Sequence, residues 1–229
     1  MMGRMEIKVG CCGFPVGKSR YYRNFRLVEV NTTFYKYPRL TLMEKWRREA
    51  PEDFEFTVKA NREITHLNKM DPEKSTRAID KVVEICKKLR TRIVLLQTPA
   101  SYKPSLPNIE KVGKILGIFI EKGIQPVYES RGEDWYKNEA PRLLRMKLKE
   151  LDVPHVVDPL KYRPVYVGEV GYFRLHGLGK RMYRYDYSPE EHNEILRAIK
   201  NMNLKTAYIL FNNIYMYSDA LEFLDILQK

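Results

Sequence analysis

The sequence predicts a single α/β domain over residues 1–229, a (β/α)8 TIM barrel with parallel strands. Three observations predict it. Eight short apolar runs alternate with helix-like segments, the order expected of a parallel sheet covered by helices. Several runs lack in/out alternation, as strands buried on both faces do. The length, 229 residues, matches the roughly 200–250 residues of such barrels.

The runs are Ile7–Cys12, Leu27–Val30, Phe54–Val58, Ile93–Leu96, Gln125–Tyr128, His155–Val157, Tyr172–Leu175 and Ala207–Phe211. Thr41 to Glu44 reads as a capping box ahead of a helix. Asp71-Pro72 places an acceptor at a cap and proline in the first turn of an amphipathic stretch to Leu89. Pro107-Asn108 opens another helix, which Gly123 closes. Ala140–Leu151 is helical by composition, Ser188 to Glu191 is a second capping box, and Ser218-Asp219 reads as the cap of the last helix. After the first and sixth runs the helical signal is weak, and loop or a short helix is expected. The rival architecture is an open doubly wound sheet. No GxGxxG or GxxxxGK[ST] follows a run, so a nucleotide-binding open sheet is disfavoured.

Lys and Arg outnumber Asp and Glu by 41 to 29, a net charge of +12. Such a surface attracts polyanions without choosing among them; a basic, thermophile-type solvated surface is the other reading. Three cysteines, two of them adjacent, make a poor disulfide framework, and a cytoplasmic location is expected. With no CxxC and four scattered histidines, no metal or other cofactor is expected. No run of about 18 apolar residues suggests a membrane span, and charges at Arg4, Glu6 and Lys8 argue against a secretory leader.

The barrel geometry puts the ends of the runs at one mouth, where (β/α)8 enzymes carry their sites. Seven of the eight runs end in polar or charged side chains: Glu29 and Asn31, Lys59, Gln97, Glu129 and Arg131, Asp158, Arg174 and His176, and Asn212. One such group is usually a satisfied core residue. That many at one level are costly unless they pair or bind something, so the ring is either an inert ion network or a site.

Glu29, Glu129 and His176 are the catalytic candidates, carboxylates in different surroundings and an imidazole that titrates near neutrality. Lys59, Arg131 and Arg174 would hold an anion. Asn31, Gln97 and Asn212 would orient hydroxyl or carbonyl groups, and Asp158 completes the substrate-binding ring. Lys59 reads either as an ion-paired cation, favoured by the nearby carboxylates, or as a Schiff-base nucleophile, which needs a depressed amine pKa. Cys12 reads as a core thiol before a nucleophile. Glu29, Glu129, Asp158 and His176 would be the ligands if a divalent metal bound, although cations crowd the same ring. At the rim, basic residues interleave with tyrosines: Lys18, Arg20, Tyr21, Tyr22, Arg23 and Arg26, then Lys180, Arg181, Tyr183, Arg184, Tyr185 and Tyr187. That is a composition suited to a nucleic-acid strand, or to aromatic packing over the mouth.

The chain resembles the YecE-like family, domain of unknown function 72. The resemblance rests on Val9-Gly10-Cys11-Cys12-Gly13-Phe14, Val28 to Tyr35 with Pro38 and Trp46, and Phe54 to Lys59 with Thr65-His66. It continues through Leu95 to Pro99, Glu129-Ser130-Arg131 with Trp135, Arg174 to Gly177, Tyr183 with Tyr185, and Phe211-Asn212-Asn213. It implies a (β/α)8 barrel and adds His66 and Tyr183 to the substrate-binding set. Two departures stand out. Cys11-Cys12 and Phe14 replace the family's usual Thr-Ser and Trp, and Gly132 stands where His is frequent. The expected function is an enzyme acting on an anionic, phosphate-bearing substrate by acid–base hydrolysis or lyase-type cleavage. A nucleic-acid-binding protein and a non-catalytic small-molecule binder are the alternatives.

Overall fold

Seven parallel strands make the wall: β1 (Glu6–Cys12), β2 (Leu27–Val30), β3 (Glu55–Lys59), β4 (Ile93–Thr98), β5 (Gln125–Ser130), β6 (Val170–Leu175) and β7 (Thr206–Phe211). Their order around the barrel is β5-β4-β3-β2-β1-β7-β6. The computed structural model describes residues 5–179 and 182–228. The helices are α1 (Lys18–Asn24), α2 (Thr32–Tyr35), α3 (Leu40–Glu49), α4 (Pro72–Leu89), α5 (Leu106–Glu121), α6 (Ala140–Glu150), α7 (Pro189–Lys200) and α8 (Met216–Gln228). A π-helical turn spans Glu63–Leu67 and a 3-10 turn Glu133–Tyr136. None of the described helices is long and apolar enough to cross a membrane.

The sixth predicted strand is the one that differs. Residues 155–157 close the gap between β5 and β6 through single parallel bridges, Tyr128 with His155 and Val157 with Phe173. Pro154 and Pro159 bracket the segment and remove two ladder donors. The His155 amide turns away to the Tyr166 carbonyl at 2.8 Å. What is left is a stave, held by Val156 N–H on the Tyr128 carbonyl at 2.7 Å and Arg174 N–H on the Val157 carbonyl at 3.1 Å.

Helix starts follow the local chemistry, with two corrections. Asp71 Oδ1 accepts from Lys74 N at 3.1 Å, and Ser188 and Glu191 form the reciprocal capping box. The α5 cap is Ser105, just ahead of Pro107. Thr41 caps nothing. Helix α3 starts at Leu40 behind Arg39, with no side-chain cap. Thr41 is therefore already helical, whereas a cap needs a non-helical backbone. Ser218 and Asp219 likewise sit inside the first turn of α8. Ser218 Oγ donates back to the Tyr215 carbonyl at 2.9 Å, and Asp219 accepts from Asn213 at 2.5 Å.

Inside the barrel Leu27, Leu95, Val127, Val156, Tyr172 and Leu210 form one apolar layer. Below it Lys8 pairs with Glu55, whose other oxygen accepts from Tyr208 at 2.9 Å. Above it lies the polar mouth. Strands β1 and β2 approach closely at Gly10, where an added Cβ would stand 2.2 Å from the Leu27 carbonyl oxygen. Backbone on both sides cannot yield without shifting the strands. We expect Gly10→Ala to cost about 1–3 kcal/mol, read as a lower urea midpoint; an unchanged midpoint would show the pair can spread freely.

Candidate functional site at the barrel mouth

Arg174 organises the mouth from below. It points inward from β6, fully buried, and joins two carboxylates from opposite walls. Its Nη2 donates to Glu29 Oε1 at 2.9 Å and its Nη1 to Glu129 Oε2 at 2.6 Å. The second oxygen of Glu29 accepts from Tyr172 Oη at 2.9 Å, and Thr57 Oγ1 lies 2.8 Å from the same hydroxyl. Glu29 is thus fully engaged and has no exposed surface.

Glu129 stands one level nearer the opening. Its Oε1 accepts from Gln97 Nε2 at 3.1 Å and lies 2.6 Å from Arg131 Nε. The Arg131 contact is an ion pair rather than an aligned hydrogen bond, since that N–H has no acceptor along its direction. Burial alone would raise the Glu129 pKa. The cations of Arg131 and Arg174 outweigh it and hold the carboxyl far below the usual range.

His176 faces both guanidiniums, with Nε2 at 2.6 Å from Arg131 Nη2 and 3.2 Å from Arg174 Nη1. Arginine can only donate, so Nε2 is the acceptor and the ring proton sits on Nδ1. Burial, then the Arg131 charge, push the imidazole pKa well below its usual value. His176 is therefore a neutral imidazole at physiological pH, its Nε2 lone pair held by the two guanidiniums. It lines a cavity of about 260 Å³ together with Arg131, Lys161, Tyr136, Tyr162 and Met182, and the carboxylates of Glu129, Glu133 and Asp158 share the wall. The Tyr136 and Tyr162 rings stack at 3.7 Å in its wall. Arg131 also reaches the Tyr183 hydroxyl at 3.4 Å.

Lys59 ends β3 on the other side of the mouth. Its Nζ donates to Gln97 Oε1 at 2.5 Å and lies 4.2 Å from the centre of the Phe34 ring. Burial, with Arg174 adding, brings this amine down to about 8. His66 sits on the π-helical turn, its Nδ1 2.8 Å from Thr65 Oγ1 and its ring edge-on to Phe34.

The remaining ring residues have structural partners or lie at the margin. Asp158 accepts from the Leu160 and His176 amides and from Tyr187 Oη, and so ties the stave to the loop after β6. Asn31 Nδ2 donates to the Cys12 carbonyl at 3.2 Å, while its Oδ1 is buried without a partner. Asn212 is half-buried after β7 and bonds the Leu175 carbonyl through its backbone. Cys12 Sγ lies 3.6 Å from Arg174 Nη2, and burial raises its thiol pKa far from the reactive range.

Sequence reasoning missed Tyr172, Thr57, Phe34, Lys161, Tyr136 and Tyr162. Tyr172 and Thr57 were detectable, each two residues before a chosen residue on the same strand face. The loop residues carried no periodic signal. Metal ligation by Glu29, Glu129, Asp158 and His176 does not fit the geometry. Arg174 occupies the space between the two glutamates, and among the described residues no three His, Cys, Asp or Glu converge.

Much of the basic, tyrosine-rich rim is spent on packing. Tyr21, Tyr22 and Tyr187 are buried. Phe14 packs edge-on against Tyr21, Tyr22 and Trp46. Lys18 pairs with Glu49, and Arg26 pairs with Asp53 at the base of the barrel. Lys180 and Arg181 lie outside the described residues.

A parallel barrel of this topology is a TIM-barrel protein, and its buried ionisable groups gather at the end where such barrels carry their sites. The chain belongs to the family described as "Protein of unknown function DUF72", whose model matches residues 19–229. It is similar to a DUF72 family protein from Enterococcus faecalis at 22% identity, covering 99% of both chains with a TM-score of 0.83. A DUF72 family protein from Thermotoga maritima is 25% identical over 98% of this chain and 100% of that one, at a TM-score of 0.75. A sugar phosphate isomerase/epimerase from Parabacteroides distasonis shares the fold at 12% identity, covering 100% of this chain and 98% of that one, TM-score 0.59. No curated protein matches the sequence.

Proposed function

We propose that the protein is an enzyme that performs acid–base chemistry of the lyase or hydrolase type on a small phosphate-bearing substrate at the barrel mouth. One observation carries this reading: a neutral imidazole, His176, opens onto a cavity that presents Arg131 and Lys161, while the carboxylates in its wall are engaged elsewhere, Glu129 by Arg174, Glu133 by Lys137 and Asp158 by backbone amides. The cations recognise the anion, Arg131 with a planar fork suited to phosphate. Binding of the anion draws the Arg131 fork off Nε2, which frees the His176 lone pair to take a proton from the substrate, and the Arg174 guanidinium beside it stabilises negative charge that develops there. Glu129, held ionised, fixes Arg131 and Arg174 and is a positioning residue in this scheme. Glu29 lies a layer deeper and supports Arg174. Gln97 and Asn31 orient hydroxyl or carbonyl oxygens. The barrel neighbour described as a sugar phosphate isomerase/epimerase supports including polyhydroxylated phosphates among the candidates.

The test is a panel of sugar phosphates, phosphoesters and small phosphorylated acids, followed by His176→Gln on whichever compound turns over. Loss of a general base lowers kcat by about 10²–10⁴, with phosphate affinity retained. Arg131→Gln raises KM. A wild-type protein that neither turns over any compound nor binds phosphate at the mouth would sink the proposal.

A further inference from the structure

Three features lie outside that scheme. A cationic groove of about 1120 Å³ at the base of the barrel is lined by Arg47, Arg48, Lys87, Arg90 and Arg92, but Glu44, Glu52, Asp53 and Glu55 share it. Asp219 is buried beside Asn213 under the loop after β6. The third feature carries furthest: Lys59 has no counter-ion. Among the described residues no carboxylate oxygen lies within 4.0 Å of its amine, because Arg174 and Arg131 have taken Glu29 and Glu129. Its partners are a neutral amide and the face of an aromatic ring.

We propose that Lys59 captures a carbonyl: it forms a Schiff base with an aldehyde or ketone that also carries a phosphate or carboxylate. The inference rests on the reading of the mouth as an anion-binding catalytic site and narrows its substrate class. Three placements support it. Lys59 is the last residue of β3, at the carboxyl end where the mouth opens, and it keeps partial exposure. Phe34 and His66 wall the amine on one side and limit its solvation. Gln97 joins Lys59 to Glu129 by hydrogen bonds, and Glu129 pairs with Arg131, so the anion site and the amine belong to one polar array. An anion on Arg131 and Lys161 would hold a carbonyl elsewhere on the same molecule across the mouth from His176.

The step balances without an added reagent. The neutral amine adds its lone pair to the carbonyl carbon, and the carbonyl oxygen takes a proton to give a carbinolamine. The C–O bond then breaks with a second proton, releasing water and leaving a protonated imine. Counted from the ammonium form, two of its three protons leave as water and one stays on nitrogen. At pH 7.5 an ordinary lysine is neutral about one part in a thousand, and an amine near 8 about one part in four.

The experiment is borohydride trapping of the intact protein at pH 7.5 with dihydroxyacetone phosphate, glyceraldehyde 3-phosphate or pyruvate, followed by peptide mass mapping. Hydride reduces the imine to a stable secondary amine. We expect an adduct on Lys59 at least about tenfold above that on any exposed lysine, given the difference in neutral amine. Inorganic phosphate should compete it away, and Lys59→Arg should abolish it. No adduct on Lys59 with any probe, or labelling spread evenly over surface lysines, overturns the inference. Turnover on the phosphate panel that depends on His176, without trapping at Lys59, would overturn covalent capture alone and leave the acid–base reading standing. The wild-type peptide map decides, whether or not the variants fold.

Discussion

Arg174→Met is expected to destabilise the protein by about 3–5 kcal/mol, because it leaves two carboxylates without their shared partner. Among the described residues Arg174 is the one group that pairs with both Glu29 and Glu129, and all three are buried. Desolvating three ions is expensive, and their attraction repays it only while every hydrogen-bonding position is filled. Here Tyr172, Gln97 and Arg131 fill the remaining carboxylate positions, and Arg174 Nε is left buried without a partner. Removing the cation keeps the desolvation cost and discards the compensation. Urea unfolding at pH 7.5 reads the loss directly.

The companion variant separates cost from purpose. Glu29→Gln, Glu129→Gln and Arg174→Met together remove all three charges. We expect the triple variant to be more stable than Arg174→Met alone, because no buried charge is left unpaired. If Arg174→Met costs less than about 1 kcal/mol, the two carboxylates are protonating or reaching water, and the electrostatics described for the mouth is wrong. If the triple variant is stable but inactive, the triad serves to set the charge and angle of Arg131 and Arg174 beneath His176. The fold does not then depend on it.

The triad was legible from the sequence for a simple reason. Charged residues inside apolar strands are rare enough to mark a position, and the two-residue period assigns their face. Glu29, Glu129, Arg174 and His176 all came from that signal. What it does not contain is pairing. Nothing in the sequence says that Arg174 bridges both glutamates, so Lys59 read as ion-paired when its partner is an amide. The cavity beside His176 was illegible for another reason. Lys161, Tyr162 and Met182 come from loops with no periodic pattern, and only the fold brings them to Tyr136 and Arg131. The stave at residues 155–157 was visible as an apolar run, yet Pro154 and Pro159 already argued against a full ladder.

That stave makes the barrel sensitive to acid at one residue. His155 is fully buried, and its ring replaces part of the missing ladder. The Val165 amide donates to Nδ1 at 3.2 Å, so the ring proton sits on Nε2, 3.0 Å from Ser130 Oγ. Burial brings its pKa down to about 4, against about 6.5 in the unfolded chain. Between those values the unfolded state binds a proton that the native state refuses. Stability from this group is therefore complete above about pH 6.5 and falls as the pH drops toward 4. The loss is about 2 kcal/mol by pH 5 and about 3 by pH 4. Asp219, raised by burial to about 7, acts with the opposite sign, because the native state holds its proton more tightly. The wild-type slope is thus a sum, and the informative quantity is a difference between proteins. His155→Gln keeps a donor toward Ser130 and an acceptor toward Val165 but cannot be protonated. Its unfolding free energy at pH 7.5 is expected to fall by about 1–3 kcal/mol, the cost of imperfect buried hydrogen bonds. Between pH 7.5 and 5.0 it should then lose about 2 kcal/mol less than the wild type loses. Parallel pH profiles for the two proteins would mean that His155 is protonated in the native state, and that the stave closes the barrel through some other contact.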